Sequence, residues 1–110
     1  MLYRSTMNAV DQMAHATPEQ AKSGVDAWMG WVHRAESARD ESAVVDLGHP
    51  VGHPHYFSGP PSSADRHVTG FSILQAEDDA ALRILLIGHP HLQSPGGSIE
   101  ALEFLPIPGM

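Results

Sequence analysis

Three copies of the tripeptide Gly-His-Pro cut this chain into short pieces. They stand at Gly48-His49-Pro50, Gly52-His53-Pro54 and Gly88-His89-Pro90. Glycine reaches backbone conformations that other residues avoid, and proline removes a backbone donor. Each copy therefore reads as a turn; those at His49 and His89 end the element before them, and the one at His53 lies within a long loop. The same turns concentrate chemistry. The last two copies run on into His55 and His91, so five of the eight histidines lie in two short segments. Histidine exchanges protons near neutral pH and is a common metal ligand.

The pieces between the turns have their own signals. Thr17-Pro18-Glu19-Gln20 predicts a helix start: Thr17 caps, Pro18 suits the first helical position, and Gln20 completes a capping box. Ala21, Val25, Trp28, Met29 and Val32 then form the apolar stripe of an amphipathic helix, with Trp31 off its centre. The helix is expected to fade between Glu36 and Arg39. Ala43-Val44-Val45-Asp46-Leu47 reads as a short strand entering the first histidine turn. The proline-rich stretch from Pro50 to Ala64 reads as a long loop. Strand character resumes from His67 to Ala76, where Gly70 predicts a bulge or a close backbone approach. Asp78 and Asp79 cap a second helix, Ala80 to Ile87, closed by Gly88. A final strand is expected from Ile99 to Leu105, ended by Pro106 and Pro108. A first strand around Leu2 completes the order.

Strand, helix, strand, strand, helix, strand is the βαββαβ pattern of the ferredoxin-like α+β fold. The strand after His67 is apolar on both faces, with Val68, Leu74 and Ala76 on one and Phe71 and Ile73 on the other. Helices on one face leave the second uncovered, which predicts a homodimer packed sheet to sheet.

Composition narrows the partners. At 110 residues the chain reads as one domain. A net charge of −7 and six scattered basic residues argue against a nucleic-acid partner. Without cysteine there are no disulfides and no thiolate chemistry. No apolar run is long enough for a membrane span, and Met1-Leu2-Tyr3-Arg4 does not open like a signal peptide. A soluble cytoplasmic protein is expected.

Several stretches, in order, resemble the YCII-related family, which includes proteins with a DGPF signature. They are Leu2-Tyr3-Arg4, the helix from Thr17 to Val32, Asp46-Leu47-Gly48-His49-Pro50-Val51-Gly52, Thr69-Gly70-Phe71-Ser72-Ile73, and Gly88-His89-Pro90-His91-Leu92 through Gly97-Ser98-Ile99-Glu100 to Pro106-Ile107-Pro108-Gly109-Met110. The resemblance implies a ferredoxin-like protomer in a dimeric α+β barrel. It also implies a small enzyme of lyase or isomerase type. Three features depart from the family: the first strand is short, His33 on the helix has different neighbours, and Ser58-Gly59-Pro60-Pro61 stands where a DGPF signature would be. The family's histidine–aspartate assignment is therefore not transferred.

Three readings of the histidines stay open. If the two turns meet over the open end of the sheet, His49, His89 and His91, with Asp46 orienting one of them, form a proton-transfer cluster acting on a small organic molecule. His89 follows the second helix, whose dipole would favour the protonated ring. A non-catalytic module binding a small ligand is the alternative. The third reading is a metal site built from His53, His55, His89 and His91. The plainest view of each residue is turn geometry, with the imidazole bonded to a nearby carbonyl. No cofactor is expected.

Overall fold

Residues 1–37, 43–55, 57 and 67–109 are described in the computed structural model. Among them the elements run β1 (Leu2–Ser5), α1 (Ala9–His15), α2 (Pro18–Ser37), β2 (Val44–Asp46), β3 (His67–Phe71), β4 (Ile73–Leu74), α3 (Asp79–Leu85), α4 (Pro90–Gln93) and β5 (Ser98–Glu100). The protein is α+β with antiparallel sheets. One sheet has the order β3-β1-β5, and the other pairs β2 with β4. No described helix is long and apolar enough to cross a membrane.

The single strand expected from His67 to Ala76 is thus divided, and Ser72 is the reason. Its side chain is fully buried, and its hydroxyl donates to the Leu47 carbonyl at 2.6 Å. Its amide donates to the Met1 carbonyl at 3.0 Å. Ser72 is thereby tied to the chain on either side of it, and β3 and β4 pair with different partners. The two sheets meet again where Pro50 bridges Gly70 and the Val51 amide donates to the Thr69 carbonyl at 2.9 Å. The bulge expected near Gly70 is present. Tyr3 pairs with Gly70 and Arg4 with Val68, which leaves Thr69 as the extra residue. The close approach is present too: a Cβ on Gly70 would stand 3.1 Å from the His49 carbonyl oxygen.

The capping box forms as expected. The Gln20 amide donates to Thr17 Oγ1 at 3.1 Å, and the Thr17 amide donates to Gln20 Oε1 at 2.9 Å. The buried face of α2 is not the one the stripe predicts. Trp31 and Ala35 are buried, with Trp28 and Val32 beside them, while Val25 and Met29 are exposed. The helix is turned so that Trp31 Nε1 donates to the Leu85 carbonyl at 2.7 Å, at the end of α3. Trp31, Ala35, Ala43 and Leu85 make the core, and Val44, Leu74 and Ala76 pack against it.

Two further expectations change. The last strand stops at Glu100, because its ladder with β1 ends at the pair Leu2 and Glu100. Leu102, Phe104 and Leu105 beyond it are exposed. Helix α1 was not expected. Asn8 caps it, accepting from the Asp11 amide at 2.8 Å. Of the loop expected from Pro50 to Ala64, the described part holds no helix or strand; Ser58-Gly59-Pro60-Pro61 lies outside the described residues.

Gly88 ends the α3 turn with φ +72°. An added Cβ there would meet nothing closer than Arg34 Nη2 at 3.9 Å, so the cost of a side chain is conformational. Gly88→Ala is expected to lower stability by about 1–2 kcal/mol, measured by urea unfolding. An unchanged midpoint would mean the turn does not need its left-handed residue.

Candidate functional site

His89 is, like Ser72, a polar side chain with no exposed surface. Pro90 begins α4 directly after it, and His89 caps that turn. Its Nδ1 accepts the His91 amide at 3.0 Å. Its ring lies 4.3 Å from Trp31, 4.6 Å from Trp28 and 5.3 Å from Tyr3, centre to centre. Helix α2 supplies the two indoles and β1 supplies the phenol.

The hydrogen bonds assign the tautomer. Nδ1 is an acceptor, so the neutral ring carries its proton on Nε2. That proton faces the Tyr3 oxygen at 3.3 Å. The Tyr3 hydroxyl donates to Ser72 Oγ at 2.8 Å, and the Ser72 hydroxyl donates to the Leu47 carbonyl. Every donor in this chain, from His89 through Tyr3 to Ser72, has an acceptor. Burial lowers the His89 pKa to about 4, helped by the charge of nearby His91. Burial likewise raises Tyr3 to about 12, opposed by its bond to Ser72. The expected stabilisation of a charged His89 by the α3 dipole is therefore overturned: loss of water around the ring outweighs it.

His91 is placed differently. It is half-buried, and its Nε2 lies 2.7 Å from the Arg4 carbonyl. A carbonyl only accepts, so Nε2 carries the proton and Nδ1 is the basic nitrogen of the neutral ring. His91 also lines a cavity of about 740 Å³ between α1, α2 and the sheet. Val25, Trp28, Met29 and Phe71 give that cavity apolar walls. His49 lines it as well, from an exposed position beside Phe71, with ring centres 6.5 Å apart.

The two histidine turns thus share one cavity, through His49 and His91. Asp46 does not orient either ring. Its carboxylate accepts the Gly48 amide at 2.8 Å and shapes the turn that carries His49. His53 and His55 are exposed. Among the described residues, no three His, Asp or Glu side chains could hold a metal together, so the set His53, His55, His89 and His91 is not assembled. Sequence reasoning missed Tyr3, Ser72 and the wall formed by Val25 and Met29. Ser72, a lone hydroxyl between Phe71 and Ile73 in an apolar strand, was the available signal.

No family model matches this chain, and no curated protein or solved structure matches it.

Proposed function

We propose that the cavity binds a small organic molecule and that His91 moves a proton on it, chemistry of lyase or isomerase type. The observation that carries this is the fixed tautomer of His91. Nε2–H is held by the Arg4 carbonyl, which leaves Nδ1 as the base on a ring that lines the cavity. Nδ1 takes the proton from a substrate C–H, and the electron pair stays on carbon. The same nitrogen returns the proton at the same or a neighbouring atom. His49, across the turn, is the second candidate proton carrier. His89 and Tyr3 hold the geometry rather than titrate.

The resemblance to YCII-related proteins fits this reading. So does a ferredoxin-like reading of the fold, in which β3 and β4 count as one strand bent at Ser72. The order is then β5-β1-β3/β4-β2, all antiparallel. The apolar residues left exposed beyond β5, Phe104 and Leu105, support the proposed homodimer. A second reading, a non-catalytic ligand-binding module, draws on His89: the most buried histidine stays neutral and fully bonded.

Deuterium exchange separates the two. The protein is incubated in D2O with a panel of small carbon acids, and C–H loss is followed by NMR. His91→Gln is expected to slow exchange by about 100-fold or more while ligand binding, read by tryptophan fluorescence, persists. Binding without exchange in the wild-type protein would leave the module and remove the enzyme.

A further inference from the structure

The cavity differs in charge from the protein around it. The chain carries thirteen Asp and Glu and a net charge of −7. Among the described residues, none of the acids lines this cavity. Its charged or titratable lining among the described residues is Tyr3, Arg34, His49 and His91, and none of these brings negative charge near neutral pH, Tyr3 being raised to about 12. A lining of that kind, apolar with a guanidinium and without a described carboxylate, favours an anion over a cation.

Arg34 is available for this. It lies in the last turn of α2, and among the described residues its exposed guanidinium reaches only the Gly88 carbonyl, at 3.5 Å. Each of the described protein's salt bridges uses another cation: Arg4, Lys22 or Arg83. A guanidinium offers five donors in a planar fork, and one long bond to a carbonyl leaves most of them open. That fork matches a carboxylate, which accepts two parallel N–H bonds.

We infer that the ligand of this cavity is a small organic acid with an apolar body, its carboxylate held by Arg34 and its body packed on Val25, Trp28, Met29 and Phe71. This rests on the proposed binding role of the cavity and names the ligand's class. It also gives the apolar walls and the lone guanidinium one purpose. The body gains by leaving water, and the carboxylate sets the orientation of the body toward His91.

Trp28 in the wall gives the readout. Phenylacetate and hexanoate are titrated against their neutral amides, phenylacetamide and hexanamide, with tryptophan fluorescence followed at neutral pH. Each acid is expected to bind about tenfold more tightly than its amide, the scale of a charge-assisted hydrogen-bond pair. Arg34→Gln is expected to remove that preference, weakening the acids about tenfold more than the amides. Its exposed position makes folding of this variant safe to expect, and circular dichroism checks it. Rising salt should weaken the acids and not the amides. Equal binding of acid and amide to the wild-type protein overturns the anion assignment and leaves the cavity as a binding site. Equal weakening of acid and amide by Arg34→Gln overturns it as well. Failure of all four probes to bind at millimolar concentration overturns both the assignment and the binding role.

Discussion

Trp31→Ala is expected to cost about 4 kcal/mol of folding stability, within the range for removing a buried aromatic ring. Trp31 is 1% exposed and stands at the centre of a small core. The other core members are Ala35, Ala43 and Leu85, and two of these three are alanines. The indole is in ring contact with Trp28 and His89, so its removal leaves a cavity beside both. The substitution also removes the donor from the Leu85 carbonyl, which ties the end of α3 to α2. Trp31→Phe separates the two effects. It keeps most of the ring and loses the N–H, so about 2 kcal/mol is expected, the cost of a buried acceptor left without its partner. Domains of this size are stable by about 5–15 kcal/mol in total, so the alanine variant should be largely unfolded at modest urea concentrations. A loss below about 1 kcal/mol would show that the core is centred elsewhere.

The same tryptophan explains what could be read from the chain and what could not. Local signals translated well. Thr17 and Gln20 made their capping box, Gly70 its bulge and close approach, and Asp78 its cap, accepting from the Ala81 amide at 2.8 Å. The two caps depend on residues three positions apart, and the bulge on the one residue type that fits it. The buried face of α2 has no such local basis. Two overlapping stripes run along that helix, one through Val25 and Met29 and one through Trp28, Trp31, Val32 and Ala35. What buries the second stripe is distant in sequence: Ala43, Leu74 and Leu85, whose carbonyl takes the Trp31 N–H. The division at Ser72 has the same character, since its partners lie at Leu47 and Met1.

The site shows the boundary again. Clustering in the two turns marked His49, His89 and His91 as the residues to examine, and two of them do share a cavity. Which histidine is sealed and which faces the cavity could not be read from spacing. His89 and His91 are two residues apart, yet one is sealed beneath Trp28 and Trp31 and the other meets the cavity. Asp46, three residues before His49, suggested a pair by spacing. A carboxylate that close in sequence instead caps its own turn at Gly48.

Acid is expected to destabilise this protein through His89. The folded ring has a pKa of about 4, against 6.5 for a free histidine, because burial disfavours its charge. Between those values the unfolded chain binds a proton that the folded chain refuses. Stability therefore falls as pH drops below 6.5, and the loss is complete near pH 4. It amounts to about 3 kcal/mol, from 1.36 kcal/mol for each unit of pKa difference. The hydrogen bonds point the same way. Protonating Nδ1 would put a second N–H against the His91 amide that now donates to it. Carboxylates also titrate in this range, so the His89 share is read as a difference. His89→Gln keeps an amide in place of the ring and removes the titration. Wild-type stability should fall by about 3 kcal/mol more than that of His89→Gln between neutral pH and pH 4. The folded-state proton resonances of the ring should stay constant down to pH 5. A mirror effect is expected in alkali: Tyr3, raised from 10.0 to about 12, holds its proton in the folded state, so stability is lost as pH rises between those values. Parallel acid profiles for wild type and His89→Gln, or a folded-state His89 midpoint near 6.5, would dismantle the neutral chain from His89 to Leu47. Agreement would establish that its one enclosed imidazole is a neutral strut. The proton chemistry of the cavity would then fall to His91 and His49.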